Sequence, residues 1–257
     1  MWEVGIMSKI KIFGLCGSIR HGNTEILVKE ALEAAAELPN VETEYMALAD
    51  LKIAGGCTAR YTCWRKPSKE HPCRDYKEDK DDVNRILRAM LSADGIIVGV
   101  PVYWGSVPAQ LKCVIDRSMS VEAGFLLRNK VGGAIAVAAE RHGGHELAIE
   151  TLHRWFLIHD MVICGVGPAR PATSVGGHQG AMAVQGFPYP VHSDEPGENE
   201  AVLQDDIGMG AARFLGQRVT ELARIVKTGL ETVSDSELAW PKARVGSEVF
   251  DRAEEQA

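Results

Sequence analysis

Short strand-like runs alternate with segments of helical periodicity along most of this chain, and that alternation constrains its fold more than any other feature. Residues 10–16 (IKIFGLC) are β-branched and apolar, and residues 24–38 (TEILVKEALEAAAEL) place Leu27, Ala31, Ala34 and Leu38 at helical spacing. Residues 41–48 (VETEYMAL) alternate as a half-buried strand does. Residues 81–93 (DDVNRILRAMLSA) open on two acids suited to a helix N-terminus and then keep a helical period. Next come 95–100 (GIIVGV), short and apolar enough for a strand buried on both faces, and 108–119 (PAQLKCVIDRSM), a helix with proline in its first turn. Residues 131–139 read as strand, 144–160 as helix, 161–166 as strand and 205–227 as helix. Strand then helix, five times over, predicts an α/β fold: a five-stranded parallel sheet with helices on both faces.

Residues 167–204 are rich in Gly, Pro, His and Ser and lack periodicity, so they read as a long functional or partner-contacting loop. The polar tail after them gives an expected organisation of one domain over 8–227 and a C-terminal extension over 228–257. At 257 residues and 46% hydrophobic, the chain can bury one sizeable core. A net charge of -7 argues against nucleic acid or an anionic membrane surface as a partner, so any phosphate must be held by local geometry. No basic region precedes an apolar run at the start, and no stretch approaches the roughly 20 apolar residues of a membrane span. A soluble, cytosolic protein is expected, with Met7 as a possible start and the six residues before it a loose extension. Cys16, Cys113 and Cys164 sit in apolar runs that read as core, and reduced thiols are expected.

The first strand-to-helix turn reads Gly17-Ser18-Ile19-Arg20-His21-Gly22-Asn23-Thr24, one residue short of the triphosphate loop GxxxxGK[ST], with Asn23 where the lysine would stand. Such a turn points backbone amides and the positive end of a helix dipole at one place. Ser18, Asn23 and Thr24 add donors, Gly22 lets the backbone curl, and Arg20 and His21 supply charge. Without the lysine the turn suits a terminal monophosphate; the competing reading is a plain capped turn. In open parallel sheets ligands lie at the carboxyl ends of strands. The loops after the third and fourth strands bring Tyr103 and Trp104, flat surfaces for a ring, and Gly143 and Gly144, which expose backbone donors. Together these describe a site for a mononucleotide with a large ring.

In these three motifs the chain resembles the flavodoxin-like NADPH-dependent FMN reductases, particularly the iron-sulfur flavoprotein branch. The matching residues are 17–24, Pro101-Val102-Tyr103-Trp104-Gly105-Ser106-Val107-Pro108 continuing to Leu111-Lys112 and Asp116-Arg117, and Arg141-His142-Gly143-Gly144-His145-Glu146; the likeness runs from about residue 9 to 227. The resemblance implies a flavodoxin-like doubly wound sheet and bound FMN. Its phosphate would lie in the loop of Ser18, Arg20, Gly22, Asn23 and Thr24. Its ring would lie between Pro101, Val102, Tyr103, Trp104 and Gly105 on one side and Ala139, Glu140, Gly143 and Gly144 on the other. Backbone amides of residues 139–146, helped by Arg141 as the candidate catalytic residue, would stabilise the negative charge that reduction places on the ring. Lys112, Asp116 and Arg117 are expected to form structural ion pairs. The resemblance also implies sites completed by a neighbouring subunit, hence a homodimer or homotetramer.

Members of that branch that carry a cluster show a compact CxxCxxC run followed by a fourth cysteine. Here Cys57, Arg60, Cys63 and Cys73 occupy those places, so a [4Fe-4S] cluster, which takes four thiolates, meets three. Free thiols without a metal are the expectation. A cluster with a substitute ligand such as His71, and zinc on Cys57, Cys63, Cys73 and His71, are the alternatives. His142, His145, His178 and His192 match no zinc spacing and read as surface or flavin-edge groups, while Trp155 and Phe156 read as core. The leading function is an FMN-dependent oxidoreductase that takes hydride from NAD(P)H and reduces a quinone, flavin or other small electron acceptor. The alternative is an iron-sulfur electron carrier working with a ferredoxin-like partner. A purely regulatory nucleotide site would leave the aromatic pair without a purpose.

Overall fold

A computed structural model describes residues 9–60, 62–167, 177–185 and 198–238; His192 and the first six residues lie outside them. Strand β1 (Ile10–Cys16) leads into α1 (Asn23–Ala36), then β2 (Val41–Ala47), a short helix α2 (Thr62–Arg65) and α3 (Val83–Ser92). Strand β3 (Gly95–Pro101) is followed by α4 (Ala109–Asp116) and α5 (Met119–Ala123), and β4 (Val131–Ala138) by α6 (His145–Ile158). Strands β5 (Val162–Cys164) and β6 (Ala181–Val184) and the long helix α7 (Asp206–Thr232) complete it.

The sheet is parallel, in the order β2-β1-β3-β4-β5, with β6 also on β4. Register runs from Ile10 opposite Val41 to Cys16 opposite Ala47, from Ile12 opposite Gly95 to Cys16 opposite Gly99, and from Gly95 opposite Val131 to Pro101 opposite Val137. Side chains alternate across each strand. Ile96, Val98 and Val100 therefore join the core under α3–α6, while Ile97, Ile10 and Ile12 join the core under α1 and α7. Chain order reverses between β1 and β3, and the carboxyl ends of strands at such a reversal are where open parallel sheets take their ligands.

The fifth position of the sheet differs from the sequence expectation in being divided. Val131–Gly133 of β4 pair with β5, and Ile135–Ala138 pair with β6, so two short strands share one edge of β4. The excursion between them is pinched at its base, where the Val166 amide donates to His178 O at 3.1 Å. A Cβ on Gly165 would stand 2.2 Å from that same carbonyl oxygen, so only glycine lets the two arms close. The expected helix over 108–119 breaks at Asp116, because Arg117 and Ser118 leave helical geometry and a second helix starts at Met119. Helix α7 continues to Thr232, five residues past the expected boundary at 227.

Candidate functional site

Three loops leave the carboxyl edge of the sheet, after β1, β3 and β4, and each enters a helix that begins without a side-chain cap. The N-caps of α1, α4 and α6 are Gly22, Pro108 and Gly144, none of which has a side-chain acceptor to give. Helix geometry leaves the first-turn amides without intrahelical partners. An anion or the polar edge of a ring is therefore favoured at this end of the sheet.

The first loop is preformed. The Gly17 amide donates to Gly99 O at 2.7 Å, which holds the loop onto β3. The buried Ser18 hydroxyl donates to Arg20 O at 2.6 Å and accepts from the Arg20 amide at 3.1 Å, so it draws the loop into a tight turn. Gly22 stands at φ 137, where a side chain would be strained. Thr24 is buried, and Asn23 Oδ1 accepts from the Val202 amide at 2.8 Å, which anchors the segment ahead of α7 to this loop. His21, on the rim, lies 2.7 Å from Glu25 and 3.1 Å from Asp50, and hydrogen bonding to Glu25 pushes its pKa above the usual histidine value.

The second loop is a two-residue hairpin. Tyr103 and Ser106 exchange backbone hydrogen bonds at 2.9 and 3.1 Å, with Trp104 at φ 50 and Gly105 at φ 74. Both central residues being left-handed suits the twist of the arms. It also lifts the Trp104 side chain fully into solvent. The third loop is folded on itself by the Gly143 amide, which donates to Glu140 O at 3.0 Å, and Ala139, Glu140, Arg141 and His142 are exposed. A Cβ on Gly144 would lie 3.0 Å from Gly105 Cα, so these two loops touch. Val102 is tied to β4 by its amide, which donates to Val137 O at 2.7 Å. The sequence-predicted residues of all three loops thus occupy one end of the sheet.

His145 departs from its expected place at the surface or a flavin edge. It is buried, and its Nε2 donates to Ala183 O at 2.8 Å, joining α6 to β6. Sequence reasoning missed this because β6 itself was not visible. Trp155 and Phe156 are core, as expected. Lys112 pairs with Asp116, and Arg117 with Asp81.

Arg117 organises the segment that carries the cysteines. It is buried, donates to both Asp81 carboxylate oxygens at 2.8 and 2.6 Å and to Gly55 O at 3.2 Å, and lies 4.5 Å from the centre of the Tyr76 ring. Its Nε also donates to Cys73 Sγ at 3.2 Å. Burial alone would raise the Asp81 carboxyl, but Arg117 and the Ala54 and Val83 amides outweigh it and hold the pKa down. Asn84 completes the frame by accepting from the Cys73 amide and donating to its carbonyl, at 2.7 and 2.8 Å.

All six cysteines are free, with Cys16, Cys73 and Cys164 buried and Cys57, Cys63 and Cys113 half-buried. Cys113 is thus not core, as its apolar neighbours suggested: Leu111 and Val114 face the core, and the helical turn carries Cys113 off it. Arg60 is exposed, and His71 is also exposed, 3.2 Å from Glu78. Among the described residues no three His, Cys, Asp or Glu side chains are gathered tightly enough to hold a metal ion. A cavity of about 300 Å³ lies at the opposite end of the sheet, lined by Asp94, Lys130 and Lys227 among others, away from the three loops.

A family model described as NADPH-dependent FMN reductase matches residues 10–169. An iron-sulfur flavoprotein of Methanocaldococcus jannaschii is 42% identical over 219 residues, 85% of this chain and 100% of the relative. A protein of Chromohalobacter salexigens named NAD(P)H dehydrogenase (quinone) is 31% identical over 159 residues, 58% of this chain and 72% of the relative. Among solved structures, RosB with a bound 8-demethyl-8-formylriboflavin-5'-phosphate intermediate superposes with a TM-score of 0.60 at 16% identity, covering 96% of this chain and 88% of that one. A WrbA-like flavodoxin from Agrobacterium tumefaciens gives 0.50 at 18% identity, covering 85% and 99%. At those identities the structural likeness bears on the fold alone. With the flavodoxin-like strand order and the matched region in agreement, the chain belongs to the NADPH-dependent FMN reductase family of flavin-dependent NAD(P)H oxidoreductases.

Proposed function

We propose that this protein binds FMN across its three carboxyl-edge loops and uses it to pass reducing equivalents from NAD(P)H to a small acceptor such as a quinone or a second flavin. The observation that carries this reading is that two glycine-started helices, α1 and α6, begin at the carboxyl edge of the sheet, where a fully exposed Trp104 also stands. FMN would supply the hydride and electron chemistry when bound. The residues present suit it. The first turn of α1, Ser18 and Thr24 favour a phosphate, Arg20 brings charge to the rim, and Gly22 and Asn23 fix the loop's shape. Pro101, Val102, Tyr103, Trp104 and Gly105 form one edge of the ring site, and Ala139, Glu140, Gly143 and Gly144 the other. Arg141, exposed beside that second edge, would oppose negative charge that accumulates on the ring.

Anaerobic mixing of the FMN-loaded protein with NADH or NADPH tests this. Loss of oxidised-flavin absorbance followed by recovery on adding a quinone is expected, and failure of both nicotinamides to change the spectrum would refute it. Arg141→Ala should slow the loss of absorbance while leaving FMN bound; unchanged kinetics would remove Arg141 from the chemistry.

A second reading, an iron-sulfur electron carrier serving a ferredoxin-like partner, is favoured by one feature: Cys57, Cys63 and Cys73 lie on one stretch of chain, and Cys63 feels the charge of the other two. Burial pushes the half-buried Cys63 thiol up, and its neighbours Cys73 and Cys57 push it further. Iron and sulfide analysis after anaerobic reconstitution separates this reading from the first. The free thiols suit a reducing, cytoplasmic compartment. Exposed Ile19, Trp104 and Leu147 beside the three loops would be covered in a homodimer or homotetramer, and light scattering gives the mass that checks it.

A further inference from the structure

We propose that the cavity at the amino end of the sheet is a second binding site, separate from the three loops, which takes a small apolar monocarboxylate with its charged head on Lys130. Asp94 stands just before β3, Arg128, Asn129 and Lys130 lead into β4, and Ala223, Val226, Lys227, Leu230 and Glu231 come from the last turns of α7. These pieces are tied together. The Val131 amide donates to Asp94 O at 3.1 Å and the Lys11 amide to Asp94 Oδ2 at 2.9 Å. Lys227 Nζ donates to Lys9 O at 2.8 Å and to Asp94 Oδ2 at 3.0 Å, which fastens α7 to the amino ends of β1 and β3. The cavity is therefore framed before any ligand arrives.

Two kinds of surface line it. Ala223, Val226 and Leu230 follow one another at helical spacing and give an apolar wall, of which Val226 and Leu230 are only half-buried. The charged lining is three basic groups and two acidic ones, which leaves one positive charge over. Arg128 lies 2.8 Å from Asp160, and Lys227 3.0 Å from Asp94. Lys130 differs: among the described residues its ammonium pairs with no carboxylate and donates to Ala93 O, although it carries three N–H donors. Burial pushes its pKa down from 10.5 to about 8, Lys227 and Lys69 push the same way, and Asp94 opposes them. An ammonium drawn out of water without a counter-charge is costly, and a bound anion relieves that cost. One surplus charge suits a monoanion, and Asp94 and Glu231 in the same lining disfavour a phosphate dianion. At about 300 Å³ the cavity is at the small end of ligand sites, enough for a short acyl chain or a single ring. The site goes beyond the flavin chemistry proposed above and does not depend on it.

Isothermal titration calorimetry of the full chain with hexanoate, hexanamide and inorganic phosphate, each with and without FMN, tests the proposal. Hexanoate should bind with a Kd of about 0.1–1 mM, and the amide and phosphate about tenfold more weakly or worse. FMN should not compete, because the three loops lie at the other end of the sheet. A bound carboxylate draws the Lys130 pKa back up, so binding at about pH 8.5 should take up a proton, and affinity should hold below about pH 8 and fall above it. Lys130→Met should weaken hexanoate by about ten- to a hundredfold and abolish the proton uptake without lowering the melting temperature. Leu230→Ser, at the end of α7, should weaken hexanoate while leaving the proton uptake in place. No heat from hexanoate, equal binding of the amide, competition by FMN, or unchanged affinity in Lys130→Met would each overturn the proposal.

Discussion

Trp104 is held at φ 50 with its whole side chain in solvent, a combination that neither backbone preference nor burial favours. Left-handed geometry costs a non-glycine residue roughly 1–2 kcal/mol, and such strain collects at sites where it serves a ligand. Trp104→Gly relieves it, so the variant should melt no lower than the wild type yet bind FMN more weakly. Loss of one aromatic contact, worth about 0.5–1.5 kcal/mol, weakens binding by a few-fold to about tenfold in a fluorescence titration. Unaltered affinity would exclude Trp104 from the ring site. Residue types and spacing made the three loops legible in the sequence, because glycines, hydroxyls and a Tyr-Trp pair fall at strand ends that hydrophobic runs already mark. They did not reveal how individual side chains are used. Asn23 Oδ1 is engaged by Val202, 179 residues away, and His145 by Ala183, 38 residues away, and contacts of that range leave no local pattern. Cys113 was misread because apolar neighbours on a helix do not make every position between them apolar-facing.

Helix α6 carries a buried base at its end. His159 is buried, 2.8 Å from the Ser118 hydroxyl, which also accepts from the Trp155 ring nitrogen at 3.0 Å. Burial pushes its pKa down from 6.5 to about 4. Between those values the unfolded chain binds a proton that the folded chain does not, so this contribution is fully present above about pH 6.5 and is lost as pH falls toward 4. The loss is at most about 3 kcal/mol. His159→Gln should therefore lose less stability than the wild type between pH 7 and pH ~4.5 in urea unfolding, since its side chain binds no proton; parallel losses in the two proteins would contradict the burial argument. The Arg117–Asp81 pair joins α4 to the start of α3 and to the cysteine segment. Arg117→Met strands the Asp81 carboxylate and should cost about 3–5 kcal/mol, read from the shift of the urea midpoint. Most elements were legible because each strand or helix buries a face that its own periodicity records. The divided fifth strand was not: Ala181–Val184 is too short to show a period and is set among glycines and prolines.

Among the described residues of the whole chain, helices cover both faces of the sheet, and the carboxyl edge, with the reversal between β1 and β3, is where open parallel sheets take their ligands. Its net charge of -7 makes that geometry matter more, because an anionic ligand gains nothing from the overall field and must be held by oriented donors at the loop. The cavity lined by Asp94, Lys130 and Lys227 lies at the other end of the sheet. If the loop of Ser18, Gly22 and Thr24 grips a phosphate, two charge-assisted hydrogen bonds at about 1.5 kcal/mol each would separate FMN from the same ring without phosphate by roughly a hundredfold. Side-by-side titration of the apoprotein with FMN and riboflavin, followed by quenching of flavin fluorescence, measures that ratio. Binding of FMN tighter by about two orders of magnitude is the expected result; equal affinity for the two, or no uptake of either by folded protein, would contradict it.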